Sequence, residues 1–211
     1  MTKNPSKAQL APLDKYDTSI HSLYTKKELE ILYEFKTFIS NDLQIYDSLY
    51  DDWFIARFLR RTSWKIEKSK TIFKEYLEFR KNKEIETILD RNLEKCDEIV
   101  KRYYPHNYCG IDKLGRPINY ECFAYFDSYT IAKEITIDEW ANYFSRDIET
   151  LIHVIFPYCS KLSGKRIDRN VTILDLKDFN LKPIILDKKI RQYLNTSTKI
   201  AQDYYPSLLG Q

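Results

Sequence analysis

The chain has 211 residues, of which 43% are hydrophobic and 31% charged, so it is long enough to fold around a sizeable core. Its net charge of +3 is the difference between 34 basic and 31 acidic side chains, and this near balance argues against nucleic acid as a partner. It has 4 glycines and an aromatic content of 15%, which disfavours phosphate-cradling loops and favours large apolar or amphipathic ligands.

The N-terminal part predicts a helical layer. Residues 1–24 are polar and lack a sustained periodicity, which predicts a flexible arm. Thr25-Lys-Lys-Glu28 is a capping box, and the apolar stripe that follows it predicts a helix to about Ser40. Further helices are predicted after the capping residues Asp51 and Asp52, over Ile66–Lys81 and near Leu93–Tyr103.

A turn and two strands then indicate a change of architecture. Asp112 can close an Asx turn and Gly115 can take a positive φ, so the chain is expected to reverse there. A half-buried strand follows over Pro117–Phe123, because apolar side chains alternate from Ile118. Val171–Leu176 is apolar with little alternation, which predicts a strand covered on both faces in a parallel or mixed sheet, with the Ile118–Phe123 strand as its neighbour.

Helices are predicted before and after the second strand along the chain. Thr136-Ile-Asp-Glu139 is another capping box, and one apolar face runs from Trp140 to Ile155, with Pro157 disturbing the end of the helix. Ile184–Ala201 predicts a last helix, which Tyr204-Tyr-Pro206 stops. The order of helices, strand, helix, strand and helix predicts an α/β fold.

Sequence signals for catalysis, metal binding, membrane spans or disulfides are weak throughout the chain. It lacks a nucleophile elbow, a phosphate-binding loop, a dinucleotide fingerprint and a zinc-protease motif, so we expect no enzyme activity and no cofactor. Asp175 closes a predicted strand and could act as an acid, but capping of the next turn is the favoured interpretation. The three histidines lack metal-ligand spacing, so no metal site is expected, and no apolar run reaches the ~18 residues of a membrane span. The cysteines include no close pair, which favours reduced thiols: Cys96, Cys109, Cys122 and Cys159.

Six sequence blocks resemble, in the same order, those of the Sec14-like CRAL-TRIO lipid-transfer proteins. The blocks are Asp51-Asp-Trp-Phe-Ile-Ala-Arg-Phe-Leu-Arg60, Phe79-Arg-Lys81, Tyr104-Pro-His-Asn-Tyr108, Asp112-Lys-Leu-Gly-Arg-Pro-Ile118, Val171-Thr-Ile-Leu-Asp-Leu-Lys177 and Tyr204-Tyr-Pro206. The resemblance covers about Lys26–Gly210. It implies a helical N-terminal subdomain over 25–102, followed over 103–211 by the N-terminal part of a lipid-binding α/β domain whose mixed or parallel sheet, with covering helices, floors a hydrophobic pocket.

The function implied by the resemblance is that of a cytosolic lipid-binding protein, which shields a phospholipid or another hydrophobic ligand and exchanges it between membranes during transient contacts with their surfaces. Where phosphatidylcholine-binding members use two tyrosines, a serine and a threonine, this chain has Tyr108, Asn119, Asn170 and Thr172. These four are the candidate lipid-binding residues. The positions of two charged pairs in phosphatidylinositol-binding members hold Thr62-Ser63 and Ser207-Leu208 here. A zwitterionic or neutral lipid is therefore expected to bind better than phosphatidylinositol.

The chain stops where the family pattern would continue into further strands and a gating helix. We therefore expect either a fragment of a longer protein or a shortened paralogue. The alternative function is a truncated interaction or regulatory module without bound lipid, whose aromatic surface contacts another protein.

Overall fold

The computed structural model describes residues 20–45 and 50–210. Its first half is helical, as predicted, and the capping box of the first helix forms. The Thr25 hydroxyl accepts the Glu28 N–H at 3.3 Å, and the Glu28 carboxylate accepts the Thr25 N–H at 2.8 Å. The elements of this half are α1 (Lys26–Thr37), a π-helical turn (Phe38–Asp42), α2 (Asp52–Arg61), α3 (Ile66–Asn82) and α4 (Glu94–Tyr103).

The described part of the predicted N-terminal arm, residues 20–24, is folded. Residues 1–19 lie outside the described part, but Ile20–Leu23 form a 3₁₀ turn and the Ile20 side chain is buried. Tyr24 packs edge-on against Trp64 and accepts a hydrogen bond from Arg60. Ile20 and Tyr24 therefore belong to the packed fold, because their large side chains find apolar partners that a polar composition alone did not predict.

The second half is a mixture of strands and helices. The elements are β1 (His106–Ile111), β2 (Pro117–Cys122), α5 (Ser128–Glu134), α6 (Ile137–Thr150), α7 (Phe156–Ser163), β3 (Val171–Asp175), α8 (Lys182–Leu186) and α9 (Lys188–Lys199). β1 and α5 were not predicted as separate elements. The last predicted helix is two helices, because the Asp187 carboxylate accepts the N–H groups of Lys189 and Ile190 and so caps a new helix.

Pro157 was expected to disturb the end of the helix, but the helix continues past it. α6 passes through a π-helical turn at Leu151–Ile155 into α7, and Pro157 lies in the first turn of α7. Proline is tolerated in a first turn, where its missing N–H does not remove a helical hydrogen bond. The helix ends at Gly164, whose φ of 63° is the left-handed conformation that glycine adopts most readily.

The three strands form one mixed sheet in the order β1-β2-β3. β1 pairs antiparallel with β2 through the predicted turn, in which the Asp112 carboxylate accepts the Leu114 and Arg116 N–H groups at 2.9 and 2.8 Å. β2 pairs parallel with β3, as expected from the apolar character of both strands. The predicted α/β class, with a mixed sheet and covering helices, is confirmed.

The prediction that the Val171–Leu176 strand is covered on both faces is wrong for the described chain. Ile173 keeps 46% of its surface exposed, and Leu174 and Leu176 are also exposed. β3 is the edge strand of the described sheet and has β2 as its one paired neighbour there. β-branched side chains favour strands for packing on a pleated surface, so apolar composition identified the strand but not its burial.

The main core joins the helical layer to the second half of the chain. Buried residues from Ile20 in the N-terminal turn to Leu208 near the C-terminal end form one cluster, within which Phe79 of α3 stacks on Tyr204 with ring centroids 4.0 Å apart. A second, smaller cluster packs α4, α5, α6 and α9 around Trp140. The two predicted parts, 25–102 and 103–211, therefore share a core. No helix within the described ranges has the length and apolarity to cross a bilayer.

Candidate functional site

A cavity of about 640 Å³ is lined by the sheet and by α6. All three strands contribute side chains, and the lining also includes Arg61 and most residues of the segment 201–210. Aromatic and aliphatic groups dominate it, among them Trp140, Phe144 and Ile148 of α6. Its volume lies within the roughly 300–1,000 Å³ that is usual for small-molecule pockets.

The four residues predicted from the sequence meet in this cavity. Strand register places Tyr108 opposite Asn119 and Asn119 opposite Thr172, so the three side chains form a row across the sheet. Asn170 lies just before β3 and donates from its side-chain amide to the Thr172 hydroxyl at 3.2 Å. All four line the cavity, and their contact with a lipid remains a prediction.

The backbone of Asn170 is held by the C-terminal segment. Its N–H donates to the Leu208 carbonyl at 2.8 Å, and its own carbonyl accepts the Gly210 N–H at 2.7 Å. These two bonds continue the sheet by one parallel bridge, between Asn170 and Leu209. The segment after Tyr204-Tyr-Pro206 is therefore part of the cavity lining.

The Tyr108 hydroxyl remains protonated over a wide pH range. Burial raises the pKa of Tyr108 well above its ordinary value, and the negative charges of Asp147 and Glu121 add to the shift. The side chain therefore presents a neutral hydroxyl, able to donate to a polar group of a ligand.

Residues that the sequence did not predict add titratable groups to the same lining. Glu121 follows Asn119 on the same face of β2 and accepts hydrogen bonds from the Asn119 amide at 2.7 Å and from the Tyr104 hydroxyl. His106 is paired with Glu121 across the antiparallel ladder. The alternation of β2 is the signal that could have identified Glu121, since every second side chain of a strand shares a face.

Asp147 is the most unusual of these residues. It occupies a position on the apolar face of α6, between the cavity residues Phe144 and Ile148, and its carboxylate makes no hydrogen bond to a described residue. Burial raises its pKa above the ordinary value, and the like charge of Glu121 acts in the same direction against the opposing influence of His106. A carboxylate at an apolar helical position was the sequence signal that could have revealed it.

Two amide oxygens in the cavity are also without partners. The side-chain carbonyl oxygens of Asn119 and Asn170 accept no hydrogen bond from any residue that the structure describes. These side chains keep 8% and 4% of their surface exposed. The lining therefore combines apolar surface with several free acceptors.

Two other sets of residues discussed from the sequence have different positions. Asp175 lies outside the cavity and accepts from the Tyr120 hydroxyl at 2.6 Å and the Lys177 N–H at 3.0 Å, in agreement with a turn-capping role. Ser207 and Leu208 line the cavity, whereas the Thr62 hydroxyl bonds that of Ser69 at 2.6 Å within the helical layer.

Comparisons with known proteins identify relatives of the chain, although no protein-family model matches it. Phosphatidylinositol/phosphatidylcholine transfer protein SFH12 of Arabidopsis thaliana is 30% identical over 194 residues, which is 91% of this chain and 35% of the relative. SFH7, a transfer protein of the same description and organism, is 33% identical over 158 residues, or 74% of this chain and 28% of the relative. The SEC14 cytosolic factor of Kluyveromyces lactis is 26% identical over 166 residues, or 79% of this chain and 54% of the relative. The chain thus spans about a third of the length of the two Arabidopsis relatives.

Proposed function

Since the chain belongs to the Sec14-like CRAL-TRIO family, we propose that it binds one phospholipid in the cavity between the sheet and α6 and exchanges it between membranes. The names of the relatives refer to phosphatidylinositol and phosphatidylcholine transfer, and to a cytosolic factor. We extend the phospholipid class and a cytosolic location to this chain.

The observation that carries the proposal is the convergence of the four candidate residues on one largely apolar cavity. Tyr108, Asn119, Asn170 and Thr172 come from three strands and a loop, and all line this space. Burial of acyl chain at about 0.8 kcal/mol per CH₂ would supply most of the affinity, and the polar groups would orient the headgroup. Transfer of this kind requires no covalent step and no cofactor.

Native mass spectrometry and a liposome transfer assay test the proposal together. The purified chain is incubated with vesicles of mixed phospholipids and weighed intact, and a labelled phospholipid is then followed from donor to acceptor vesicles. We expect one phospholipid per chain and a transfer rate above that without protein. Thr172→Trp would fill part of the cavity with an indole ring and should lower both lipid occupancy and transfer about tenfold or more.

The matched control is Thr198→Trp, the same substitution at an exposed position of α9 outside the cavity. It should leave occupancy and transfer unchanged. Failure of the unmutated chain to carry any phospholipid or to accelerate transfer would contradict the proposal and favour an interaction module without bound lipid. Equal effects of the two tryptophan substitutions on occupancy and transfer would contradict the assignment of this cavity as the lipid site.

A further inference from the structure

The polar part of the cavity lining contains hydrogen-bond acceptors that have no donor among the described residues. Asp147 and Glu121 contribute carboxylates, and the carbonyl oxygens of Asn119 and Asn170 have no partner within the described part of the chain. Both asparagines are more than nine-tenths buried. A buried acceptor without a donor is unfavourable, so this lining is suited to a ligand that brings donors.

Several donors of the lining are already engaged. The Tyr104 hydroxyl donates to the Glu121 carboxylate, and the Trp140 indole N–H donates to the Ser197 hydroxyl at 2.7 Å. Among the residues that the structure describes, Arg61 is the one lysine or arginine that lines the cavity, and its Nε donates to a backbone carbonyl at 3.4 Å. Two carboxylates therefore face one guanidinium, which favours a cationic group over an anionic one.

His106 engages one more donor of the lining. Its Nδ1 lies 2.8 Å from the Tyr104 carbonyl oxygen, which can only accept, so Nδ1 carries the proton. Nε2 then accepts from the Tyr143 hydroxyl at 3.4 Å. The Tyr143 hydroxyl is therefore also engaged within the fold.

We propose that this cavity selects phospholipids whose headgroup carries a protonated amine with N–H donors, and that Asp147 is the residue that determines this preference. The amine would donate to the Asp147 carboxylate and to the free carbonyl oxygens of Asn119 and Asn170. The phosphate of the same lipid would accept from hydroxyl groups such as those of Tyr108 and Thr172. This inference rests on the proposed function.

The number of hydrogen-bond donors and the net charge separate the three headgroups. The ethanolamine ammonium offers three N–H donors, whereas the trimethylammonium of choline carries the same charge without any. The inositol headgroup carries hydroxyl donors, but its phosphate diester leaves the lipid with a net negative charge near two carboxylates. Affinity should therefore decrease in the order ethanolamine, choline, inositol.

The test uses a series of headgroups that differ in donors at constant charge. Vesicles contain equal amounts of phosphatidylethanolamine, its N-methyl and N,N-dimethyl derivatives and phosphatidylcholine, with identical acyl chains and with phosphatidylinositol as a fifth component. Native mass spectrometry of the full chain measures the occupancy of each lipid. We expect occupancy to fall with each methyl group and to differ about tenfold between the two ends of the series.

Asp147→Asn removes the charge with little change in shape and should bring the ratio of phosphatidylethanolamine to phosphatidylcholine close to one. Asp138→Asn is the matched control on the same helix, since Asp138 is 79% exposed and lies outside the cavity. The control should keep the ratio of the unmutated chain. A urea unfolding curve of each variant shows that it folds.

The outcomes distinguish the two proposals. If the unmutated chain carries none of the five lipids, the proposed function fails and the headgroup preference fails with it. If the occupancy of phosphatidylcholine or phosphatidylinositol equals that of phosphatidylethanolamine, the headgroup preference is refuted while lipid binding stands. An unchanged ratio in folded Asp147→Asn would refute the role of Asp147. The methylation series needs no variant, so it decides the preference even if a variant fails to fold.

Discussion

The ion pair between Arg80 of α3 and Glu149 of α6 offers a sharp test of how the helical layer is joined to the rest of the fold. Glu149 Oε1 accepts from Arg80 Nη1 and from the Tyr205 hydroxyl, both at 2.7 Å, and Oε2 lies 2.9 Å from His153 Nε2. The side chains of Arg80 and Glu149 keep 5% and 3% of their surface exposed. Breaking a buried pair by removing one partner costs about 3–5 kcal/mol.

We therefore expect Glu149→Gln to lower the free energy of unfolding by about 3 kcal/mol, the lower end of that range, since the amide oxygen can still accept a hydrogen bond. The control is Glu86→Gln, which removes a carboxylate from the same Arg80 at 2.7 Å, but from a side chain that is 65% exposed. An exposed pair contributes about 0–1 kcal/mol. Urea unfolding followed by circular dichroism should show a midpoint shift of about 1.5 M for Glu149→Gln, with an m value near 2 kcal/mol/M.

The pH dependence gives a second measurement on the same variant. Burial opposes ionisation of Glu149, but the hydrogen bond from His153 and the charge of Arg80 outweigh it and hold the pKa of Glu149 below its ordinary value. A lowered pKa in the folded state stabilises the protein above the unfolded pKa of about 4.3, and this stabilisation is lost as the pH falls through the lowered value. The difference in the free energy of unfolding between the unmutated chain and Glu149→Gln should therefore shrink below about pH 4. Equal losses for Glu149→Gln and Glu86→Gln at pH 7 would refute the argument from burial.

Four further predictions follow from the cavity and the exposed sheet edge. Asp147→Asn should raise the free energy of unfolding at pH 7, because its raised pKa means that ionisation destabilises the folded state as the pH rises; equal urea midpoints would contradict this. Ile173→Asp should cost no more than about 1 kcal/mol at its half-exposed edge position, and loss of the folded state would contradict the exposure seen here. Tyr108→Phe should weaken phospholipid binding about fivefold at both pH 7 and pH 9, because the raised pKa of Tyr108 keeps its hydroxyl protonated; an effect at one pH alone would contradict this. The chain should bind the dye ANS and associate at high concentration through the exposed Ile185 and Leu186 and the edge of β3, and a weakly fluorescent monomer would refute this.

The sequence predicted best those features that depend on a few neighbouring residues. Both capping boxes form as expected, as does the turn closed by Asp112, because their hydrogen bonds join groups within four residues of one another. The helix over Ile66–Lys81 ends one residue later than predicted. These features carry their physical cause within the segment itself.

Features that depend on distant partners were predicted less well. The exposure of Ile173 depends on what lies beside and over β3, which the composition of the strand does not contain. The π-helical turn before Pro157 shifts the proline into a tolerated position, and no local motif indicated it. The four candidate site residues came from a family resemblance, whereas strand register was needed to bring Glu121 and His106 into the same cavity.

The contrast between Asp147 and Glu149 bears on whether the free acceptors in the cavity are incidental. The two carboxylates are two residues apart on α6, and each is raised in free energy by burial. Around Glu149 the fold supplies an arginine from α3, a tyrosine from the C-terminal segment and a histidine from the π-helical turn, so it can satisfy a buried carboxylate on this helix. Around Asp147, whose side chain is half-buried, it supplies no hydrogen bond from a described residue, and the same cavity lining includes two asparagines whose buried carbonyl oxygens also lack a described partner. Polar groups left without partners are usual where a site is shaped for a ligand, and their meeting in the cavity between α6 and the sheet is why we assign headgroup selection to that cavity.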